Sequence, residues 1–413
     1  MKGEVDRDVA VHRNARLLAA AQGFAQLTFP VLLVTGTVAA TELSHRDGAS
    51  GLVWAVYFGV AAVAAVVIGR WMDRVGRRPG LLVALAFTAL GGLGCAAAVL
   101  VGSFPLLILS VVPFGIGYAG VNLTRAAVAD MYPPAHRARA VGILLAVGTI
   151  GAVGSPLLIA FLRGRAADPR TADLLPWLIV PLGALIAGGF VMRVRPDPRD
   201  LAPPIEGDFG PESRPARSPR ELLRVPAFRT AILAAAVGQI AMVGVMGVTP
   251  AALHHLGHGD ATIAWIISLH IGGMFAFSPL IGAAMDRWGR RLGLIAGCSA
   301  SIVGALVAGT GGSAAVVGGG LFALGIGWSA TFLGATAVIS DVTTPAERAG
   351  ALGFTDLFVS ACSATAGVVS GIVLETAGYP TLGVVTAVLV TLVLGVVLWM
   401  RPVAGDAVAV ARD

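Results

Sequence analysis

Long apolar runs alternate with short charged stretches along the whole chain. Twelve of the runs approach or exceed the ~20 residues that a helix needs to cross the hydrocarbon layer of a membrane. They are 17–40, 51–70, 80–101, 104–128, 140–162 and 174–193, then 229–252, 261–283, 292–311, 314–339, 351–373 and 380–400. Between the two sets of six lies 194–228, rich in Pro, Arg, Asp and Glu. It carries too little apolar surface to bury a core and reads as a solvated linker. Residues 1–16 are polar and of mixed charge, and 401–413 form a tail. The first run is too long for the core of a signal peptide, so it reads as an uncleaved first span. The pattern predicts an all-α integral membrane protein of twelve transmembrane helices. It is divided into an N-terminal segment 1–16, a six-helix bundle 17–193, a linker 194–228, a second six-helix bundle 229–400 and the tail.

Composition sharpens this. The chain is 56% hydrophobic and 13% charged, with a mean hydropathy of +0.83, values that exclude a soluble globular domain. The net charge is +6, and its basic side consists of arginines apart from Lys2. These are dispersed through short loops, which marks orientation rather than a nucleic-acid surface. The loops after odd-numbered spans carry only Arg46, Arg163, Arg165 and Arg170; the other arginines outside the spans lie before the first span, after even-numbered spans or in the tail. Both termini and the linker are therefore expected in the cytoplasm, with the chain in the cell membrane. Cys95, Cys298 and Cys362 lie inside apolar runs, a spacing with neither a disulfide framework nor a zinc pattern. No G-x-x-x-x-G-K-[ST] loop is present, which argues against an ATP-driven pump. No nucleophile–base constellation of an enzyme stands out either.

The charged stretches repeat. Gly69-Arg70-Trp71-Met72-Asp73-Arg74-Val75-Gly76-Arg77-Arg78 returns as Gly282-Ala283-Ala284-Met285-Asp286-Arg287-Trp288-Gly289-Arg290-Arg291, a shared G-x-x-x-D-R-x-G-R-R pattern. Each copy sits between two apolar runs and reads as a tight turn at the membrane surface. A second pair follows. Asp130-x-x-x-Pro134-x-x-Arg137 with Gly142 matches Asp341-x-x-x-Pro345-x-x-Arg348 with Gly353, and upstream Gly115-Ile116-Gly117-Tyr118 matches Gly325-Ile326-Gly327-Trp328. Two motifs in the same order and register mark a duplicated bundle.

These residues resemble the major facilitator superfamily. The resemblance implies two pseudo-symmetric six-helix bundles, a substrate site between them near mid-membrane, and secondary transport by rocking of one bundle against the other. It implies that Asp73 and Asp286 latch the gate, with Arg77 reaching Asp130 and Arg290 reaching Asp341. Arg74, Arg287, Arg137 and Arg348 belong to the same gating motifs. Carboxylate and guanidinium at a membrane face form charge-assisted hydrogen bonds, which suits a latch that breaks once per cycle.

Candidate cargo residues concentrate in spans 7 and 8. Gln239, Met242 and Met246 lie in span 7, and His270 and Met274 in span 8; each Met-x-x-x-Met or His-x-x-x-Met pair falls on one helix face. Thioether and imidazole select Cu(I) over hard cations. This pair of motifs resembles the CcoA-type copper importers within the superfamily, which would make Met242, Met246, His270 and Met274 ligands and Cu(I) the cargo. His254, His255 and His258 at the outer end of span 7 fit metal capture or a solvated loop equally. In the first half, Gln22 and Gln26 in span 1 and Tyr118 and Asn122 in span 4 fit hydrogen bonding to an organic cargo or between helices. The sequence leaves open copper import, organic-solute or drug export, a riboflavin-like vitamin carrier, and a non-transporting receptor on the same scaffold. No resident cofactor is expected. The expected partners are a small-molecule or metal-ion substrate, the lipid bilayer and protons as coupling ion, with His270, Asp356 and Glu375 as the titratable candidates; no nucleic acid is expected, and the chain reads as a monomer. One consequence tests the duplication. A membrane-impermeant maleimide should leave Arg74→Cys and Arg287→Cys unlabelled in intact cells and label both after permeabilisation. Labelling of one turn from outside and the other from inside contradicts it.

Overall fold

The computed structural model describes residues 2–202 and 217–399; the side chains of residues 2–6, Pro134, Ala135, Arg137, Ala138, Pro345, Ala346 and Ala349 fall outside the description. The tail, the linker segment 203–216 and the Arg137 side chain, all named above, therefore lie outside the described residues. Among the described residues every regular element is helical. The membrane-length helices are α1 (Arg7–Ser44), α2 (Ala49–Val75), α3 (Arg77–Val101), α4 (Phe104–Asp130), α5 (Arg139–Arg165), α6 (Pro169–Met192), α7 (Pro226–His255), α8 (Asp260–Trp288), α9 (Arg290–Gly309) and α10 (Ala314–Val342). An eleventh helical stretch, Gly350–Trp399, is bent at Gly378 (φ 78°, ψ 171°). It supplies two passes, α11 before the bend and α12 after it. With that stretch counted as two, the expected twelve helices are present among the described residues.

The helices cluster into two units: Met1–His45 with Val56–Asp208, and Arg46–Ala55 with Phe209–Asp413. The division departs from the expected bundles at Arg46–Ala55, the start of α2, which groups with the second unit. There Trp54, 1% exposed, donates its indole N–H to the Gly247 carbonyl at 2.8 Å, and Arg46 pairs with Glu375 at 3.0 Å. Glu375, a candidate proton carrier by sequence, is thus half of a surface ion pair.

Lipid tails are as apolar as leucine, so packing and hydrogen bonding hold such helices together rather than water exclusion. Small residues accordingly fill the interiors. Ala84, Ala127, Ala184 and Ala187 are buried with Met72, Leu81 and Leu144 in the first unit, as are Ala231, Ala234, Ala235 and Ala335 with Phe228 and Leu294 in the second. Large aliphatics such as Leu109, Ile150 and Leu392 lie outside, exposed as lipid-facing residues should be.

Two expectations change. Residues 1–16 are not a separate segment, since a single helix runs Lys2–Ala25 and Val11 lies in the first unit's core. The start of the linker is docked rather than solvated. Val194 and Leu201 are buried in that core; Arg7 donates to the Leu201 carbonyl at 2.8 Å and Asn14 to the Pro196 carbonyl at 3.0 Å. Two apolar residues in a polar run, with partners waiting for their backbone, suffice to fix it.

Candidate functional site

Each repeated decapeptide forms the turn that the sequence predicts, and glycine explains why. α2 ends at Val75 and α3 begins at Arg77, leaving Gly76 to reverse the chain at φ 105°; Gly289 does the same between α8 and α9 at φ 95°. L side chains rarely adopt that conformation. The motif extends further than its charges. A side chain at Gly80 would collide with Met72, and one at Gly293 with Met285. The methionine of each turn tucks under the next helix, and both methionines are buried. The same spacing in both copies was readable in the sequence.

The turn's charges gather within each unit. Arg77 Nε donates to Asp130 Oδ2 at 2.8 Å and its Nη1 to Asp73 Oδ1 at 2.8 Å. Arg290 Nη1 donates to Asp286, and its Nε lies 3.5 Å from Asp341 Oδ2. Asp73 and Asp286 are 63% and 71% exposed, Asp130 and Asp341 about half that. Exposed pairs of this kind contribute only about 0–1 kcal/mol, so stability is not a sufficient reason for building them twice. Arg348 donates to the Ser340 carbonyl at 3.0 Å, Arg287 lies over the Trp288 ring, and Arg74 is exposed.

Sequence reasoning missed the residues that hold these turns. Asp197, in the docked start of the linker, accepts from the backbone N–H groups of Arg77 and Arg78 at 3.0 and 2.9 Å. Arg199 donates to the carbonyls of Asp73 and Arg74 at 2.9 and 3.2 Å. A carboxylate thus sits on the amino end of α3 and a guanidinium on the carboxyl end of α2, each on the pole of opposite sign. The second unit carries a different clamp. Buried Glu347 accepts from Arg217 Nε at 2.7 Å and from the Thr344 N–H at 2.9 Å. The Arg217 guanidinium and that N–H hold its carboxyl well below the usual carboxylate range.

The cargo candidates divide. Gln22 and Gln26 both pack against Gly148 of α5, and Gln22 is buried, its Oε1 lacking a hydrogen-bond partner among the described residues. Tyr118 joins an aromatic cluster with Phe29 (6.1 Å, stacked), Tyr57 (4.9 Å) and Phe58 (6.1 Å). Asn122, one turn along α4, is half-buried and accepts from Arg125 Nε through its backbone carbonyl. In the second unit Trp328 donates its indole N–H to Gln239 Oε1 at 2.6 Å and stacks on Phe332 at 5.1 Å.

Met242 and Met246 bound a π-helical turn, Met242–Met246; a second π turn, Leu32–Gly36, occupies the corresponding place in α1. Such turns are rare and are often found at functional sites. The Met242–Met246 turn packs chiefly against the Pro345–Trp399 stretch, whereas α8 packs chiefly against α10. His270 is fully buried there, its Nδ1 2.6 Å from the Leu321 carbonyl, and among the described residues its Nε2 has no hydrogen-bond partner. A carbonyl only accepts, so the neutral ring carries its proton on Nδ1 and a lone pair on Nε2. Met274, one turn on, is buried beside it. The two pairs of sulfur and imidazole groups thus have different neighbours. His255 lies 3.3 Å from Asp47, and His254 lies beside His255. Among the described residues no three or more His, Cys, Asp or Glu side chains gather as a metal site.

The Major Facilitator Superfamily model matches residues 17–259 and again 232–411. The chain belongs to that superfamily. Its relatives within the Major Facilitator Superfamily include the uncharacterized MFS-type transporter YddS of Bacillus subtilis, 30% identical over 94% of this chain and 90% of the relative. The riboflavin transporter RfnT of Brucella anthropi is 27% identical over 95% of this chain and 97% of its own length. Among solved structures, the nucleoside transporter NupG superposes with a TM-score of 0.73 at 14% identity, covering 94% of this chain and 99% of NupG. That likeness establishes the superfamily fold. The chain is a multi-pass membrane transporter. Asp197→Ala removes a charged cap worth about 0.5–2 kcal/mol. Hydrogen–deuterium exchange should then rise across residues 74–80 and stay unchanged across 287–293; equal exchange in both turns, or none, contradicts the capping role.

Proposed function

We propose that the chain is a secondary transporter of a small planar organic solute, moved by alternating access in the cell membrane. The observation that carries this reading is an aromatic group in each of the duplicated halves, the two sharing the equivalent positions Tyr118 and Trp328. Phe29, Tyr57, Phe58 and Tyr118 form one; Trp328 and Phe332, with Phe275 edge-on at 5.7 Å, form the other. Aromatic side chains give broad, sequence-economical contact with flat rings, and Gln239 adds an amide beside them. The relative named as a riboflavin transporter, matched over nearly its whole length, supports the same cargo class. In this reading the Arg77–Asp130 and Arg290–Asp341 pairs, with Asp73 and Asp286, gate the cycle: their weak net contribution to stability lets them break and re-form. Protons are the coupling ion, with His270 and Asp356 as candidate carriers.

One observation favours a second cargo. The free Nε2 of His270, fixed by the bond from Nδ1 and placed one turn from Met274, is a ligand-ready imidazole. It supports Cu(I) import by Met242, Met246, His270 and Met274. Uptake into proteoliposomes separates the two, with riboflavin and Cu(I) under reducing conditions as solutes and an imposed pH gradient as the variable. Saturable riboflavin uptake is expected, falling about tenfold in Trp328→Ala and unchanged in Met242→Ala or Met246→Ala. Copper uptake without riboflavin uptake, lost in Met242→Ala, Met246→Ala and His270→Ala, replaces the organic reading.

A further inference from the structure

We infer that Gln239, clamped by Trp328, is the specificity-determining side chain of this transporter, and that it selects planar heterocycles bearing a ring carbonyl. The inference rests on the organic-solute reading and names the chemistry within it.

The clamp fixes the amide's orientation. An indole N–H only donates, so Gln239 must turn its oxygen to Trp328, where the two atoms lie 2.6 Å apart. Flipping the amide would set two donors face to face. Trp328 in turn is held by the parallel ring of Phe332, at an interplanar angle of 6°, and by the edge of Phe275. The Gln239 Nε2 therefore points away from the indole with two N–H donors. Among the described residues its oxygen's bond to Trp328 is the amide's only hydrogen bond. Gln239 is half-buried, so these donors are partly removed from water without a protein acceptor. A donor left in that state favours a solute that supplies the acceptor.

The duplicated half shows what this position does when it is not used so. The two π turns align the halves at an offset of 210 residues, and so do Gly115-Ile116-Gly117-Tyr118 and Gly325-Ile326-Gly327-Trp328. At that offset Gln239 corresponds to Phe29 and Trp328 to Tyr118. In the first unit the same two positions make a plain ring stack, 6.1 Å apart. One half thus offers ring faces, and the other offers ring faces plus a pair of oriented donors. A ligand that satisfies the second half's rings and donors is a flat ring with carbonyl acceptors on its edge, namely a cyclic imide, amide or urea. A flat aromatic cation without carbonyls would stack as well but leave the donors unmet.

The test uses the full-length protein in proteoliposomes. Riboflavin and lumichrome carry the ring dione; proflavine is a planar cation without carbonyls. Gln239→Glu keeps an acceptor for Trp328 but removes both N–H donors. It should raise the riboflavin and lumichrome KM about tenfold or more, with little change in kcat, and leave proflavine uptake equal or improved. Trp328→Phe retains the stack but frees the amide, and should raise the same KM by a smaller factor. Flavin fluorescence quenching on the purified variants reads the same loss in binding, so a transport defect of other origin is distinguished. An unchanged riboflavin-to-proflavine ratio in Gln239→Glu overturns the inference. Wild-type uptake of proflavine with neither flavin also overturns it while leaving the organic-solute reading intact. Uptake of copper and none of the three dyes overturns both.

Discussion

A guanidinium held between two carboxylates at a membrane surface is the constraint on which this structure depends. Arg77 lies between Asp73 and Asp130, and Arg290 between Asp286 and Asp341. The positions at both ends of each bond are set by backbone. A glycine at positive φ turns the chain so that the arginine starts a new helix, a buried methionine seats that helix on the last, and the carboxylate at the end of α4 or α10 comes within reach. Partly solvated pairs contribute little to stability. They are directional and cheap to break, which a rigid apolar contact would not be.

Duplication copied this scaffold but not its supports or its chemistry. The first turn is pinned at both helix poles by Asp197 and Arg199; the second unit places its strongest clamp elsewhere, between Arg217 and buried Glu347. The aromatic positions diverged in the same way, a ring stack in one half and an amide–indole bond in the other. Two halves that share a backbone thus carry unlike side chains at equivalent positions.

The parts of this arrangement that were legible in the sequence are those that repeat. Periodic apolar runs placed the helices within a few residues, and the paired decapeptides located the turns, because charge beside glycine between two spans has few other uses; the arginine–aspartate pairing was implied by the family resemblance. What escaped was long in sequence separation and single in copy. Asp197 reads as one acid in a proline-rich run, and nothing local says that it will meet amides 120 residues earlier. The docking of Val194 and Leu201 was hidden by the polar residues around them. The methionines and histidine of α7 and α8 were visible, but the spacing that set each pair on one helix face does not say which neighbour each helix packs against. The Gln239–Trp328 bond needed both a fold and a rotamer to appear.

Reversal of the first latch tests the central claim most directly. Riboflavin uptake into proteoliposomes would be compared for Arg77→Asp, Asp130→Arg and the two combined. If the ion pair gates transport, each single reversal should reduce the initial rate about tenfold or more by setting like charges against each other, and the combined variant should recover most of it. Near wild-type rates in both single variants, or no recovery when they are combined, would show that these charges do not form the gate.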